Sequence, residues 1–259
     1  MSEAVVELRR IVARLRGPGG CPWDQEQTHG SLKPGLIEEC YEVVDAIDAG
    51  DDANLREELG DLLLQVVFHA QLSEERAAFD LDAVAREIGE KLVRRHPHVF
   101  GDEAGNIADA AEVLVRWEEL KRAEKGERTS AIDGVPNSLP GLMRAQKVQK
   151  KAARVGFDWP EATEVLARID DELREARDAI ESGAPDQVRE EVGDLLFTVV
   201  NLSRKLGFDS EETMNGATAK FSRRFRAVEA AVRASGRGVE DCRLEELDAA
   251  WDLVKRTEG

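Results

Sequence analysis

The chain has 259 residues, with 36 Lys and Arg against 53 Asp and Glu, a formal net charge of −17. That balance argues against a sequence-independent grip on nucleic acid, which needs a basic face, and against docking on an anionic membrane. Hydrophobic residues at 42% and charged residues at 34% fit a folded, well-solvated protein rather than a disordered one, with room for one large domain or two small ones.

Proline and aromatic residues are few, and apolar residues recur at three and four, which predicts helices. In chain order these are 2–16, 32–49, 52–77, 81–96, 109–125, 138–154, 161–182, 186–206, 210–235 and 244–257. Ser31, Asp51, Asp80 and Asp209 stand where N-caps belong. No alternating strand pattern appears, so the expected fold class is all-α. The longest apolar stretches, such as 62–68, are far shorter than the roughly 18 residues of a membrane span, and 1–20 lacks the apolar core of a secretory signal. Cys21, Cys40 and Cys242 are odd in number and share no metal-ligand spacing, as expected of reduced thiols in the cytoplasm.

The periodicity lapses in GERTSAIDGVPNSLPG, a linker by composition. On either side the chain repeats itself. EECYEVVDAIDAGDDANLREELGDLLLQVV (38–67) aligns without a gap on DELREARDAIESGAPDQVREEVGDLLFTVV (171–200). Further out, Lys91, Arg94 and Arg95 mirror Lys220, Arg223 and Arg224, while Trp117 and Lys121 mirror Trp251 and Lys255. The expected organisation is a tandem repeat of two small helical-bundle domains, 1–126 and 141–259, joined by a linker over 127–140.

At ~100° per residue, Leu36, Cys40, Val43 and Ile47 form an apolar stripe with Glu39 and Glu42 to one side of it. On the next helix Leu55, Leu59, Leu62 and Val66 form the stripe, with Glu58 and Asp61 at the same angular positions. The second half repeats this with Ile169, Leu173, Ala176 and Ile180, then Val188, Val192, Leu195 and Val199. Its acids are Glu172, Glu175, Glu191 and Asp194. A short connection makes the two helices antiparallel neighbours, so each set of four carboxylates can converge on one cleft. Acids so crowded repel one another unless they bind protons or a cation. The ligands are hard oxygens, suited to Mg²⁺ or Mn²⁺, and Mg²⁺ shares its coordination with phosphates, pointing to a nucleotide polyphosphate. Gly60 and Gly193 sit inside helices at a cost of about 1 kcal/mol against alanine, which a close backbone approach beside the site would justify. Beside this stands the plainer possibility that Glu-x-x-Glu marks a solvated helix face.

Lys220 and Arg224, spaced i, i+4, can hold phosphate oxygens or pair with neighbouring glutamates. Trp251 can stack on a base or cap the core. There is no P-loop motif, and His96-Pro97-His98 has no third ligand nearby and reads as a helix stop. A di-iron bundle would want Glu-x-x-His where Asp61 and Asp194 stand. A non-enzymatic helical scaffold would bind no Mg²⁺.

These motifs resemble the MazG nucleoside triphosphate pyrophosphohydrolases, whose signature is Glu-Glu-x-x-Glu followed by Glu-x-x-Asp. Here it reads Glu38-Glu39-x-x-Glu42 with Glu58-x-x-Asp61, and Asp171-Glu172-x-x-Glu175 with Glu191-x-x-Asp194. Cys21-Pro22-Trp23-Asp24, Arg95-His96-Pro97-His98-Val99-Phe100, Arg144-Ala145-Gln146-Lys147 and Gly156-Phe157-Asp158-Trp159 extend the likeness to the two-domain bacterial members. The resemblance implies an all-α NTP pyrophosphatase fold and hydrolysis of NTPs and dNTPs to the monophosphate and pyrophosphate. It implies a catalytic carboxy-terminal domain in which Glu172, Glu175, Glu191 and Asp194 hold Mg²⁺. Arg168, Asp171, Gln187, Glu190, Lys220, Arg224 and Trp251 would surround the nucleotide. Asp171 replaces the motif's first Glu, Gln187 stands where relatives carry a basic residue, and Gly35 lies opposite Arg168. A two-helix acidic cleft buries little surface, so a homodimer is expected.

Overall fold

The computed structural model describes residues 3–101 and 130–257, with the isolated positions 109, 113, 116 and 117. All regular structure among them is helical. The chain divides into two compact units, Met1–Gly126 and Glu127–Gly259. Unit 1 contains α1 (Glu3–Arg16), α2 (Pro22–Glu26), α3 (Lys33–Ala49), α4 (Asp52–Glu74), α5 (Leu81–Arg95) and α6 (Pro97–Phe100). Unit 2 contains α7 (Gly141–Ala153), α8 (Ala162–Ser182), α9 (Pro185–Lys205), α10 (Ser210–Ala234), a 3₁₀ turn at Val239–Asp241, and α11 (Leu244–Thr257). The helix expected over 109–125 otherwise lies outside the described residues. The short α2, α6 and 3₁₀ turn had no signal in the periodicity, being too brief to repeat an apolar position.

Three of the four expected N-caps act as such. Asp51 accepts from the backbone N–H groups of Ala53 and Asn54, Asp80 from Ala83, and Asp209 from Glu211 and Glu212. Ser31 does not cap α3. Its hydroxyl accepts from the Thr28 N–H while the Thr28 hydroxyl accepts from the Ser31 N–H, and Leu32 takes the N-cap position. That reciprocal turn presents His29. α4 ends at Glu74, earlier than the periodicity implied, with Ala77 at φ 54 just beyond it.

In unit 1, α1 and Leu81, the first residue of α5, pack on the second half of α4 around Val12, Leu32, Val67, Phe68, Ala70, Leu72 and Leu81. In unit 2, α7 lies on α9 and α10. Two buried glutamines fasten it. The Gln146 amide donates to the Phe208 carbonyl and accepts from the Ser210 N–H, and Gln149 donates to the Phe197 carbonyl. A further clamp joins the 156–160 segment to α9, where Asp158 meets both Arg204 and Lys205. Burial alone would raise the Asp158 carboxyl, but the two cations hold it below its ordinary value.

Only part of each expected apolar stripe packs within its unit: Ala176 is buried, and Leu36, Val43, Leu55, Leu62, Ile169, Val188 and Leu195 are half-buried. Cys40, Ile47, Leu59 and Val66 are exposed in unit 1, as are Leu173, Ile180, Val192 and Val199 in unit 2. On α8 the buried positions are Val165, Glu172, Ala176 and Ala179, a row of small residues interrupted by an acid. Small side chains let α8 and α9 approach closely, which turns the larger apolar residues outward and draws the acids between the helices.

Candidate active site

Each unit has a helical hairpin that carries its acids. In unit 1, α3 closes on Gly50 at φ 63, with the Gly50 N–H donating to Ile47 and the Asp51 N–H to Ala46. This is the left-handed C-terminal turn that glycine adopts without a Cβ penalty. In unit 2, α8 closes on Gly183 at φ 69 and Pro185 opens α9. The chain therefore reverses within a few residues, bringing the turn of α8 bearing Glu172 and Glu175 beside the turn of α9 bearing Glu191 and Asp194.

In unit 2, one oxygen from each of Glu172, Glu175 and Glu191 lies within 4.8 Å of the others. Glu172 is only 3% exposed, and its Oε2 is buried without a hydrogen-bond partner. Its Oε1 lies 2.9 Å from the Arg168 guanidinium, which also reaches Glu175 at 3.5 Å and Asp171 at 4.0 Å. Asp194 is exposed and stands outside the close trio. It acts on Glu191 through its charge. Desolvation first, then Glu175, Asp194, Glu190 and Glu172, push the Glu191 carboxyl above its ordinary value.

Unit 1 gathers Glu39, Glu58 and Asp61 within the same 4.8 Å. Desolvation, then the charges of Asp61 and Glu42, push the Glu39 carboxyl above its ordinary value. Glu58 is raised by desolvation, then by Glu42, Glu57 and Asp61. Hard oxygens from adjacent helices, their pKa values raised by crowding, with one buried and unpartnered oxygen at Glu172 in unit 2, form donor sets that suit a small divalent cation.

The two clusters differ at one corner. Arg168 occupies it in unit 2. In unit 1 the equivalent residue is Gly35, and the Gln65 amide fills the gap: a Cβ on Gly35 would stand 3.2 Å from Gln65 Nε2, and Gln65 opposes the rise in the Glu39 pKa. A guanidinium faces the first acid in one unit and a neutral amide in the other. Gln65 escaped the sequence reading because it sits inside the apolar run of α4 and matches Thr198 in the second half. No motif marks it.

The other expected residues lie as follows. Asp171 pairs with Arg174 at 2.8 Å, Gln187 Oε1 lies 3.4 Å from the Ser182 hydroxyl, which donates to the Ala179 carbonyl at 2.8 Å, and Glu190 is exposed. Lys220 and Arg224 are one turn apart on α10, and Trp251 on α11 packs against Phe221 with ring centroids 5.1 Å apart. Gly60 and Gly193 do not answer the expectation of close approach, for a Cβ at either would meet nothing within 4 Å. Gly193 lies 100° or more around α9 from Glu191 and Asp194 by helical geometry, about ~100° from the latter, which leaves it on the open side of the hairpin.

The MazG nucleotide pyrophosphohydrolase domain matches residues 27–100 and 161–228. The chain belongs to this family. It is 47% identical over 250 residues to the nucleoside triphosphate pyrophosphohydrolase/pyrophosphatase MazG of Thermotoga maritima, covering 96% of this chain and 94% of the relative. It is 48% identical over 258 residues to the nucleoside triphosphate pyrophosphohydrolase of Escherichia coli K12, covering 97% of each. A third relative, the nucleoside triphosphate pyrophosphohydrolase of Mycolicibacterium smegmatis, is 37% identical over 252 residues, which make up 96% of this chain and 65% of that one. Each MazG segment contains one acidic hairpin. The fold is accordingly a tandem MazG repeat.

Proposed function

We propose that this MazG protein hydrolyses nucleoside triphosphates, both ribo- and deoxyribonucleotides, to the monophosphate and pyrophosphate with Mg²⁺, or Mn²⁺ in its place. The observation that carries this reading is the carboxylate trio of unit 2, with its buried, unpartnered Glu172 oxygen, in a chain nearly half identical over almost its whole length to relatives named for this activity. Glu172, Glu175, Glu191 and Asp194 would hold the cation. When bound, the cation neutralises charge along the triphosphate and acidifies water at the site.

The remaining work falls to the chain's own groups. Glu191, its pKa raised by desolvation and then by its acidic neighbours, is suited to accept the proton of the attacking water, with Glu175 the other candidate. Arg168 fixes the rotamers of Glu172 and Glu175 through its contacts at 2.9 and 3.5 Å. Lys220 and Arg224 would offset charge on the departing pyrophosphate, while Asp171, Gln187, Glu190 and Trp251 would border the nucleotide. The unit 1 acids Glu39, Glu42, Glu58 and Asp61 would form a second cation site with a weaker hold on nucleotide, because Gly35 supplies no guanidinium. A homodimer would cover the apolar residues that each unit leaves open.

The test is pyrophosphate release from a panel of NTPs and dNTPs with Mg²⁺ or EDTA. Glu191→Gln should lower turnover by on the order of 10²–10³-fold, as removal of a group acting on transition-state charge does, with circular dichroism unchanged. Glu58→Gln should leave most of the turnover in place. Full activity in Glu191→Gln, or in EDTA, would refute the assignment.

A further inference from the structure

Outside the acidic clusters, the most unusual polar arrangement is a chain of contacts in unit 1 that none of the proposed chemistry uses. The His29 and His69 rings are parallel within 2°, their centroids 5.0 Å apart, and meet through their Nδ1 atoms at 2.7 Å. The Arg76 guanidinium lies 3.0 Å from His29 Nε2. Ser73 Oγ is 3.4 Å from that nitrogen, but the hydroxyl donates to the His69 carbonyl at 3.1 Å.

These contacts dictate the tautomers. A guanidinium only donates, so His29 Nε2 accepts and the His29 proton sits on Nδ1. His29 Nδ1–H then donates to His69 Nδ1, and the proton of neutral His69 must be on Nε2. Burial, then the neighbouring His29, lowers the His69 pKa and favours that neutral form. His69 Nε2 is buried and has no partner. One turn earlier on the same face of α4, Gln65 Oε1 is also buried and also has no partner. A buried donor and a buried acceptor, neither of them hydrogen-bonded as the side chains stand, thus sit at i+4 and i, one turn apart on α4. The other end of the Gln65 amide, Nε2, lies against α3 at Gly35, one turn before Glu39, and Gln65 opposes the rise in the Glu39 pKa, as a donor facing its carboxylate does.

We propose that His69 is a positioning residue for the amino-terminal acidic cluster: oriented by His29 and Arg76, it holds Gln65 Oε1 and so fixes the amide with its nitrogen towards Glu39. Without it the amide is free to turn its oxygen to the carboxylate, and Glu39 loses the one neutral donor that orients it. The device belongs to unit 1 alone. The register that places Glu39 on Glu172 places Gln65 on Thr198 and His69 on Leu202, where Arg168 does the orienting instead.

The inference rests on the reading of Glu39, Glu58 and Asp61 as a cation site, and one experiment separates the two. Mn²⁺ binding to the full-length protein is followed by the electron paramagnetic resonance signal of the free ion, in a Glu191→Gln background that disables the unit 2 cluster. One site should remain, and adding Glu58→Gln should remove it. His69→Leu, which installs the residue of the second repeat, should weaken that site by about tenfold, the lower end of what loss of an outer-shell partner costs. His69→Gln, which can still donate to Gln65, should restore it. Gln65→Met should match His69→Leu, and the double variant should be no worse than either single one; if His69→Leu fails to fold, Gln65→Met carries the same measurement. Unchanged affinity in both His69→Leu and Gln65→Met, with Glu58→Gln still abolishing binding, overturns the inference and leaves the cation site standing. No Mn²⁺ bound in the Glu191→Gln background overturns both.

Discussion

Glu191 lies beside Glu175, Asp194, Glu190 and Glu172, and desolvation together with those four charges raises its pKa; Glu39 and Glu58 shift in the same direction for the same reasons. The folded chain therefore binds these protons more tightly than the unfolded one. That contribution to stability is fully present below the ordinary carboxylate range and is lost as pH rises through the raised values. A divalent cation replaces the protons and opposes the loss. Thermal melts should show little stabilisation by Mg²⁺ at acid pH and a growing increment as pH climbs through the upper carboxylate range. Glu58→Gln combined with Glu191→Gln should flatten that increment. A melting temperature indifferent to Mg²⁺ and EDTA at every pH would count against a cation at either cluster.

At the scale of the element, the hairpin turns decide whether the acids meet at all. Gly50 at φ 63 and Gly183 at φ 69 sit where a side chain is strained. Replacing either by alanine should cost about 1 kcal/mol, read from the midpoint of urea denaturation with an unchanged slope. Asp51→Ala removes the bonds to Ala53 and Asn54 and should cost a similar amount, about 1 kcal/mol. These features were legible beforehand, because caps and turns are local: glycine, aspartate and proline announce them within four residues. The pairing of Glu39 with Glu58 and Asp61, and of Glu172 with Glu175 and Glu191, was legible for a related reason, since a short turn leaves only one way to fold the two helices together. The burial of Glu172 was not. Periodicity identifies which residues share a face, but of the expected stripe α8 buries only the small Ala176, together with Ala179 beside it, and Glu172, one turn before Ala176, is buried with them. Nor was the His29–His69 contact visible, since it joins residues forty positions apart through a turn at Thr28 and Ser31 that resembled a helix cap.

For the whole molecule, the same choice of face has a consequence. Val192, Leu196 and Val199 fall on one side of α9, roughly opposite Asp194 by helical geometry, and are 43%, 51% and 44% exposed. Ile47, Leu59 and Val66 are similarly open in unit 1. Apolar side chains left open along one helix face are the kind of surface that a second copy of the chain would cover. The net charge of −17 spreads repulsion over the rest of the surface, so two copies of the chain would associate through these neutral strips, and a symmetric pairing of like faces would leave no open end. Val192→Glu with Leu196→Glu sets four extra negative charges across a two-fold contact of two chains while sparing Glu191 and Asp194. Light scattering should give a dimer mass for the parent and a monomer mass for this variant at the same loading, with helix content preserved by circular dichroism. An unchanged mass would mean that α9 does not form the contact, and a monomeric parent would mean that the strips are covered by something other than a second copy of the chain.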